Sequence, residues 1–201
     1  MADNRDRQPP SAQGPQQALK DIEFIKELIS RNKRKVDESP PYLLIWGTYV
    51  MIGFVGMHFD MSVWPNWYWA IGAIAASALT AVAGIRQARR SPSPASEVGA
   101  FGWMFWLPFL AVFLTGTFLL FSGIVRAEHA SFLWMSLVGV AYVSLGPLTG
   151  RGTVVLGLWF IVLAIATRAF LLDYQFLVLG LLGGGSLVAT GFVLLLRGKA
   201  R

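Results

Sequence analysis

Four stretches of this sequence carry no charged side chain: Met61 to Ile85, Val98 to Val125, Ala130 to Gly150 and Tyr174 to Leu196. Each is long enough to cross a bilayer, because a hydrocarbon core of about 30 Å takes about 20 residues at 1.5 Å per residue. Inside lipid the backbone must satisfy its own hydrogen bonds, which leaves helices and closed barrels. The stretches lack the apolar-polar alternation of a barrel strand, so helices are the reading. Composition agrees. The chain of 201 residues is 55% hydrophobic and 14% charged, with a mean hydropathy of +0.55, outside the range of soluble domains. The fold class expected is an all-α membrane protein.

Six transmembrane helices are expected, over about residues 42–59, 66–85, 102–125, 131–148, 153–172 and 174–196. Residues 1–17 are rich in Pro, Gln, Asn and Asp and read as a disordered tail. Over residues 18–38 the pattern changes: Ala18, Ile22, Ile25 and Ile29 recur at helical spacing, opposite Asp21, Glu23, Lys26 and Glu27. This predicts a short cytosolic amphipathic helix, ended by Ser39-Pro40-Pro41 because proline disfavours helical geometry in the residue before it. Residues 39–201 then form the six-helix domain. The first 38 residues are polar and charged, so the first membrane helix, rather than a cleaved signal, is expected to direct insertion.

Lys and Arg near the helix ends set the orientation. Lys26, Arg31, Lys33, Arg34, Lys35, Arg86, Arg89, Arg90, Arg151, Arg197, Lys199 and Arg201 fall on one side, and Arg126 and Arg168 on the other. The positive-inside rule therefore puts both termini in the cytoplasm of a cell whose inner membrane holds the protein. Trp64, Trp67, Trp69 and Trp134 then mark the outer interface, and Trp103 and Trp106 the inner one. Arg31, Lys33, Arg34 and Lys35, just inside helix 1, are expected to meet anionic lipid headgroups, at about 1 kcal/mol per basic residue. No nucleic-acid reader accompanies them.

Two stripes of small residues stand out. Helix 2 carries Gly72, Ala76, Thr80 and Gly84 at steps of four, with Ser77 beside them; helix 6 carries Gly180, Gly183, Gly184 and Gly185, followed by Ser186 and Thr190. Small residues let helix backbones approach where lipid removes the hydrophobic drive for helices to associate, so packing is the first reading and a pore lining the second. Consecutive glycines at bilayer depth also loosen a helix and free carbonyls, as in the discontinuous helices of transporters. Arg168 is the one Lys, Arg, Asp or Glu within a span. It is expected to snorkel to the outer surface and pair with Asp173, Asp60 or Glu128.

His58 and His129 lie at the outer face beside Asp60 and Glu128. Two histidines and two carboxylates are a zinc-ligating set if helices 1 and 3 adjoin, but solvated interfacial side chains are the commoner outcome, so a polar cluster with Arg168 and no metal is expected. No cysteine is present. No HExxH, nucleophile elbow, phosphate-binding loop or intramembrane aspartate pair occurs either, so neither a catalytic residue nor a cofactor is expected and the chain is not read as an enzyme.

The succession of a charged helix (LKDIEFIKELISRNKRK), a Pro-Pro break and six plain hydrophobic spans resembles small multi-pass bacterial membrane proteins that are often encoded beside transcriptional regulators or export systems. The resemblance covers the whole length without a specific motif, so no functional residue carries over. The expectation is a non-enzymatic interaction or regulatory protein, whose cytosolic helix meets a protein partner, the membrane surface or a second copy. The alternative is a small oligomeric transporter or channel with Ser77, Thr80, Ser186 and Thr190 on one cavity.

Overall fold

The computed structural model describes Lys20, Ile22 and Glu23, residues 40–90 and residues 95–199. No strand occurs among the described residues. Helix α1 runs over Pro40–Phe59, α2 over Trp64–Arg90, α3 over Ala95–Phe121, α4 over Ala130–Ser144 and α5 over Arg151–Phe170. The last helix, α6, is composite: an α turn Gln175–Val178, a π-helical stretch Leu179–Gly184 and an α-helix Gly185–Lys199. Lys20, Ile22 and Glu23 are helical and exposed; the rest of the expected amphipathic helix, with Arg31, Lys33, Arg34 and Lys35, lies outside the described residues, as does the tail 1–17.

Four helices are long and apolar enough to cross a membrane: Pro40–Phe59, Trp64–Gln87, Arg151–Phe170 and Leu172–Arg197. Trp106–Phe121 is a shorter apolar helix, and α4 has only 15 residues before a separate helical turn, Gly146–Thr149.

Several boundaries differ from the expected ones for local reasons. Helix α2 continues into the basic segment as far as Arg90, since Arg and Gln are good helix formers outside lipid as well as at its edge. Helix α3 passes through Pro108 and stops at Phe121 rather than at Val125. The stop is Gly123, whose φ of +73° breaks the helix while the Val125 amide folds back to the Leu119 carbonyl.

The helices pack in the spatial order α2, α1, α6, α5, α4, α3, so the first and last helices lie side by side in the middle. The core joins Phe54 and Met57 of α1, Phe132 and Met135 of α4, Phe160, Leu163 and Ala164 of α5, and Leu179 and Leu187 of α6. Lipid is as apolar as leucine, so this association rests on close packing. Glycine supplies it. A β-carbon on Gly184 would lie 2.8 Å from the Gly47 carbonyl of α1, and one on Gly157 2.5 Å from the Gly139 carbonyl of α4.

Helices α1 and α2 meet through aromatic rings seated on glycines. Trp64 packs on Gly56 and donates its indole N–H to the Gly53 carbonyl at 3.1 Å. Tyr68 donates to the Tyr49 carbonyl and Tyr49 to the Trp69 carbonyl, each at 2.8 Å. Trp64 and Trp69, read from sequence as an interfacial belt, are therefore also packing residues, and Trp134 likewise covers Gly116 of α3.

Candidate functional site

An open cleft of about 210 Å³ lies where α4, α5 and α6 meet, lined by Glu128, His129, Phe132, Arg168, Leu172 and Gln175. A 3-10 turn, Ala127–His129, positions the first two residues, and another, Leu172–Tyr174, brings Gln175 round to face them. Arg168 shares the cleft with Glu128 but makes no ion pair among the described residues. Glu128 is held instead by Arg126 at 3.2 Å, with the His129 ring nitrogen at 3.5 Å. The Gln175 Oε1 and the Ser131 and Thr167 hydroxyls are buried without a hydrogen-bond partner, and Thr167 is wholly inaccessible.

The structure does not bring His58 and Asp60 to this cleft. Helix α1 packs on α2 and α6, and His58 lies edge-on to Phe59. Asp60 folds the α1–α2 turn: its Oδ1 accepts from the Ser62 amide at 3.0 Å, the Ser62 hydroxyl at 2.8 Å and the Val63 amide at 3.0 Å. The Val63 amide, followed by the Ser62 hydroxyl, holds its carboxyl below the usual range. No group of three or more His, Asp or Glu able to hold a metal ion occurs among the described residues.

The small-residue stripes lie at two separate interfaces. In α2, Gly72 faces the Tyr49 ring, Ala76 and Thr80 are buried, and Gly84 lies near the Tyr42 hydroxyl, whereas Ser77 is exposed. In α6, Gly180 and Gly184 abut Met51 of α1. The Ser186 hydroxyl donates to the Gly183 carbonyl and the Thr190 hydroxyl to the Ser186 carbonyl, both at 2.7 Å.

Sequence reasoning missed Gly47, Gly139 and Gly157 as the matching halves of these contacts. It also missed Trp159, whose indole donates to the Leu182 carbonyl at 3.2 Å. Their signal was glycine or a tryptophan in mid-span, far from an interface. Below Trp159 a second groove, of about 330 Å³, opens between α5 and α6, lined by Gly152, Val155, Leu156, Trp159, Ser186 and Thr190.

These features define an all-helical membrane protein with mutually close-packed helices and small surface clefts. No family model, no curated protein and no solved structure matches the chain.

Proposed function

We propose that this chain is a six-span membrane protein of the interaction or regulatory type, not an enzyme. It lies in the inner membrane with both termini cytoplasmic, and the helix over residues 18–38 docks on a protein partner, the membrane surface or a second copy. The observation that carries this reading is that the four intramembrane hydroxyl residues do not share one cavity: Ser186 and Thr190 line one groove, whose lining includes neither Ser77 nor Thr80. Thr80 is buried in α2, Ser77 is exposed, and Ser186 and Thr190 donate to carbonyls of their own helix. A solute path needs such groups on one cavity. The six-span count is supported by the 27 residues of α3 and by the turns that extend α4 at both ends.

Docking by the apolar face is tested with Ile22→Glu and Ile25→Glu against Glu23→Gln and Lys26→Gln. Burying an isoleucine is worth roughly 1.5 to 3 kcal/mol, so the first pair should expose residues 31–35 to protease in isolated membranes while the second pair stays like wild type. If all four variants are cleaved like wild type, the segment has no docking role. Solute flux in proteoliposomes that Thr190→Val abolishes would instead establish the transporter alternative.

A further inference from the structure

Helix α6 packs on α1 along its whole length, and its outer part, through Gly184, also touches α5, whereas Gly185–Lys199 does so little. Helices α5 and α6 therefore diverge below Trp159, and the groove lined by Gly152, Val155, Leu156, Trp159, Ser186 and Thr190 is the wedge between them. We infer that this wedge binds one anionic glycerophospholipid, an acyl chain lying along Val155, Leu156 and Trp159 and the phosphate held by Arg151 and Arg197. The inference rests on the placement of the chain in a bilayer, but not on the docking helix.

Chemistry of the walls selects an apolar occupant. Val155, Leu156 and Trp159 line one side, and on the other both hydroxyls already donate within α6, at 2.7 Å. The Trp159 ring, the lining residue of α5 farthest from Arg151, is fixed through its bond to Leu182. From Arg151 to Trp159 the helix rises about 12 Å, close to the depth of one leaflet of a core about 30 Å thick.

The mouth selects a negative headgroup. Arg151 continues the row of Val155 and Trp159 at steps of four along α5, and Arg197 lies two turns beyond Thr190 on α6. Both are exposed, and no ion pair engages either among the described residues. Arg151, next to Gly152 of the wall, and Arg197, two turns past Thr190, put two exposed guanidinium groups on the side of the wedge away from Trp159, which fits a phosphodiester whose tail enters the wedge. A free phosphate would leave the wedge unfilled, and a zwitterionic lipid carries its own cation.

The test uses the full chain purified in detergent, with lipid retention read by native mass spectrometry and stability by thermal unfolding. Phosphatidylglycerol should be retained and should raise Tm, while phosphatidylcholine and glycerol phosphate should do neither. Arg151→Gln with Arg197→Gln should weaken retention about 30-fold, from about 1 kcal/mol per basic residue. Gly152→Leu should also abolish it by filling the wedge, and should fold normally, since a β-carbon at Gly152 meets nothing within 4 Å. Arg126→Gln, at the opposite membrane face, should retain lipid like wild type. Equal retention of phosphatidylcholine, or wild-type retention in the double-arginine and Gly152→Leu variants, would overturn the inference. Ile22→Glu should leave retention unchanged, so failure of the docking helix and failure of this site are distinguishable.

Discussion

The indole nitrogen of Trp159 stands 3.2 Å from the carbonyl oxygen of Leu182, inside the π-helical stretch of α6. The next carbonyl, that of Gly183, accepts the Ser186 hydroxyl at 2.7 Å. Two consecutive carbonyls of the irregular stretch are thus capped by side-chain donors at a depth where water is scarce. Trp159→Phe should keep the ring and lose the bond, lowering unfolding free energy in detergent by about 1 kcal/mol. Adding Ser186→Ala should cost more than the sum of the single changes, because the two donors support one distorted turn. Denaturant unfolding of the four proteins measures the coupling; additivity would mean that the two carbonyls are independent.

Glycine positions should divide by sign. A β-carbon on Gly184 would lie 2.5 Å from the Met51 amide nitrogen, and one on Gly157 2.7 Å from the Val143 amide nitrogen. Backbone cannot step aside as a side chain can, so Gly184→Ala and Gly157→Ala should each destabilise by about 1 to 3 kcal/mol. Gly152 has open space around it; Gly152→Ala should be neutral or stabilise by about 0.5 to 1 kcal/mol through helix propensity. Thermal unfolding in one detergent decides all three.

Much of the architecture was written in the charge-free tracts, because lipid penalises charge and unpaired backbone over a length that the residue count reveals. Helix pairing was not. Gly180 and Gly184 were visible as a close-packing signal, but that their partners are Gly47 and Met51 depends on two helix surfaces at once. Asp60 shows a similar limit. Beside His58 it read as part of an outer polar cluster, whereas its spacing to Ser62 and Val63 is that of a local turn. Arg168, Glu128 and His129 were expected near one another and do share a cleft. Gln175 was absent from that expectation, because only the turn at Leu172–Tyr174 brings it there.

The Asp60 turn should be acid-sensitive. Its carboxyl is held below its ordinary value of 3.8 by the Val63 amide and then the Ser62 hydroxyl, with desolvation opposing. A group whose folded pKa is lowered contributes stability above the unfolded pKa and loses it as pH falls through the folded value. Protection of the Ser62 and Val63 amides from hydrogen exchange, corrected for intrinsic rates, should therefore be flat above about pH 5 and fall only well into the acid range. Asp60→Asn should remove that pH dependence. An acid fall that persists in Asp60→Asn would assign it to another group.

The number of spans comes down to one loop. If α3 and α4 cross the bilayer, Arg126 to His129 lie outside; if only Pro40–Phe59, Trp64–Gln87, Arg151–Phe170 and Leu172–Arg197 cross, that loop stays in the cytoplasm. Both arrangements leave the C-terminus inside, so a reporter after Arg201 cannot separate them. The absence of cysteine from the sequence makes the decisive measurement clean. Single substitutions Glu128→Cys, Ser62→Cys and Lys199→Cys in intact cells should be challenged with a membrane-impermeant maleimide. All three sites lie outside the six expected spans, and Glu128 and Ser62 are exposed. Six spans predict labelling of the first two and protection of the third until the cells are opened. Protection at position 128 together with labelling at position 62 would reduce the count to four and place α3 and α4 on the cytoplasmic side.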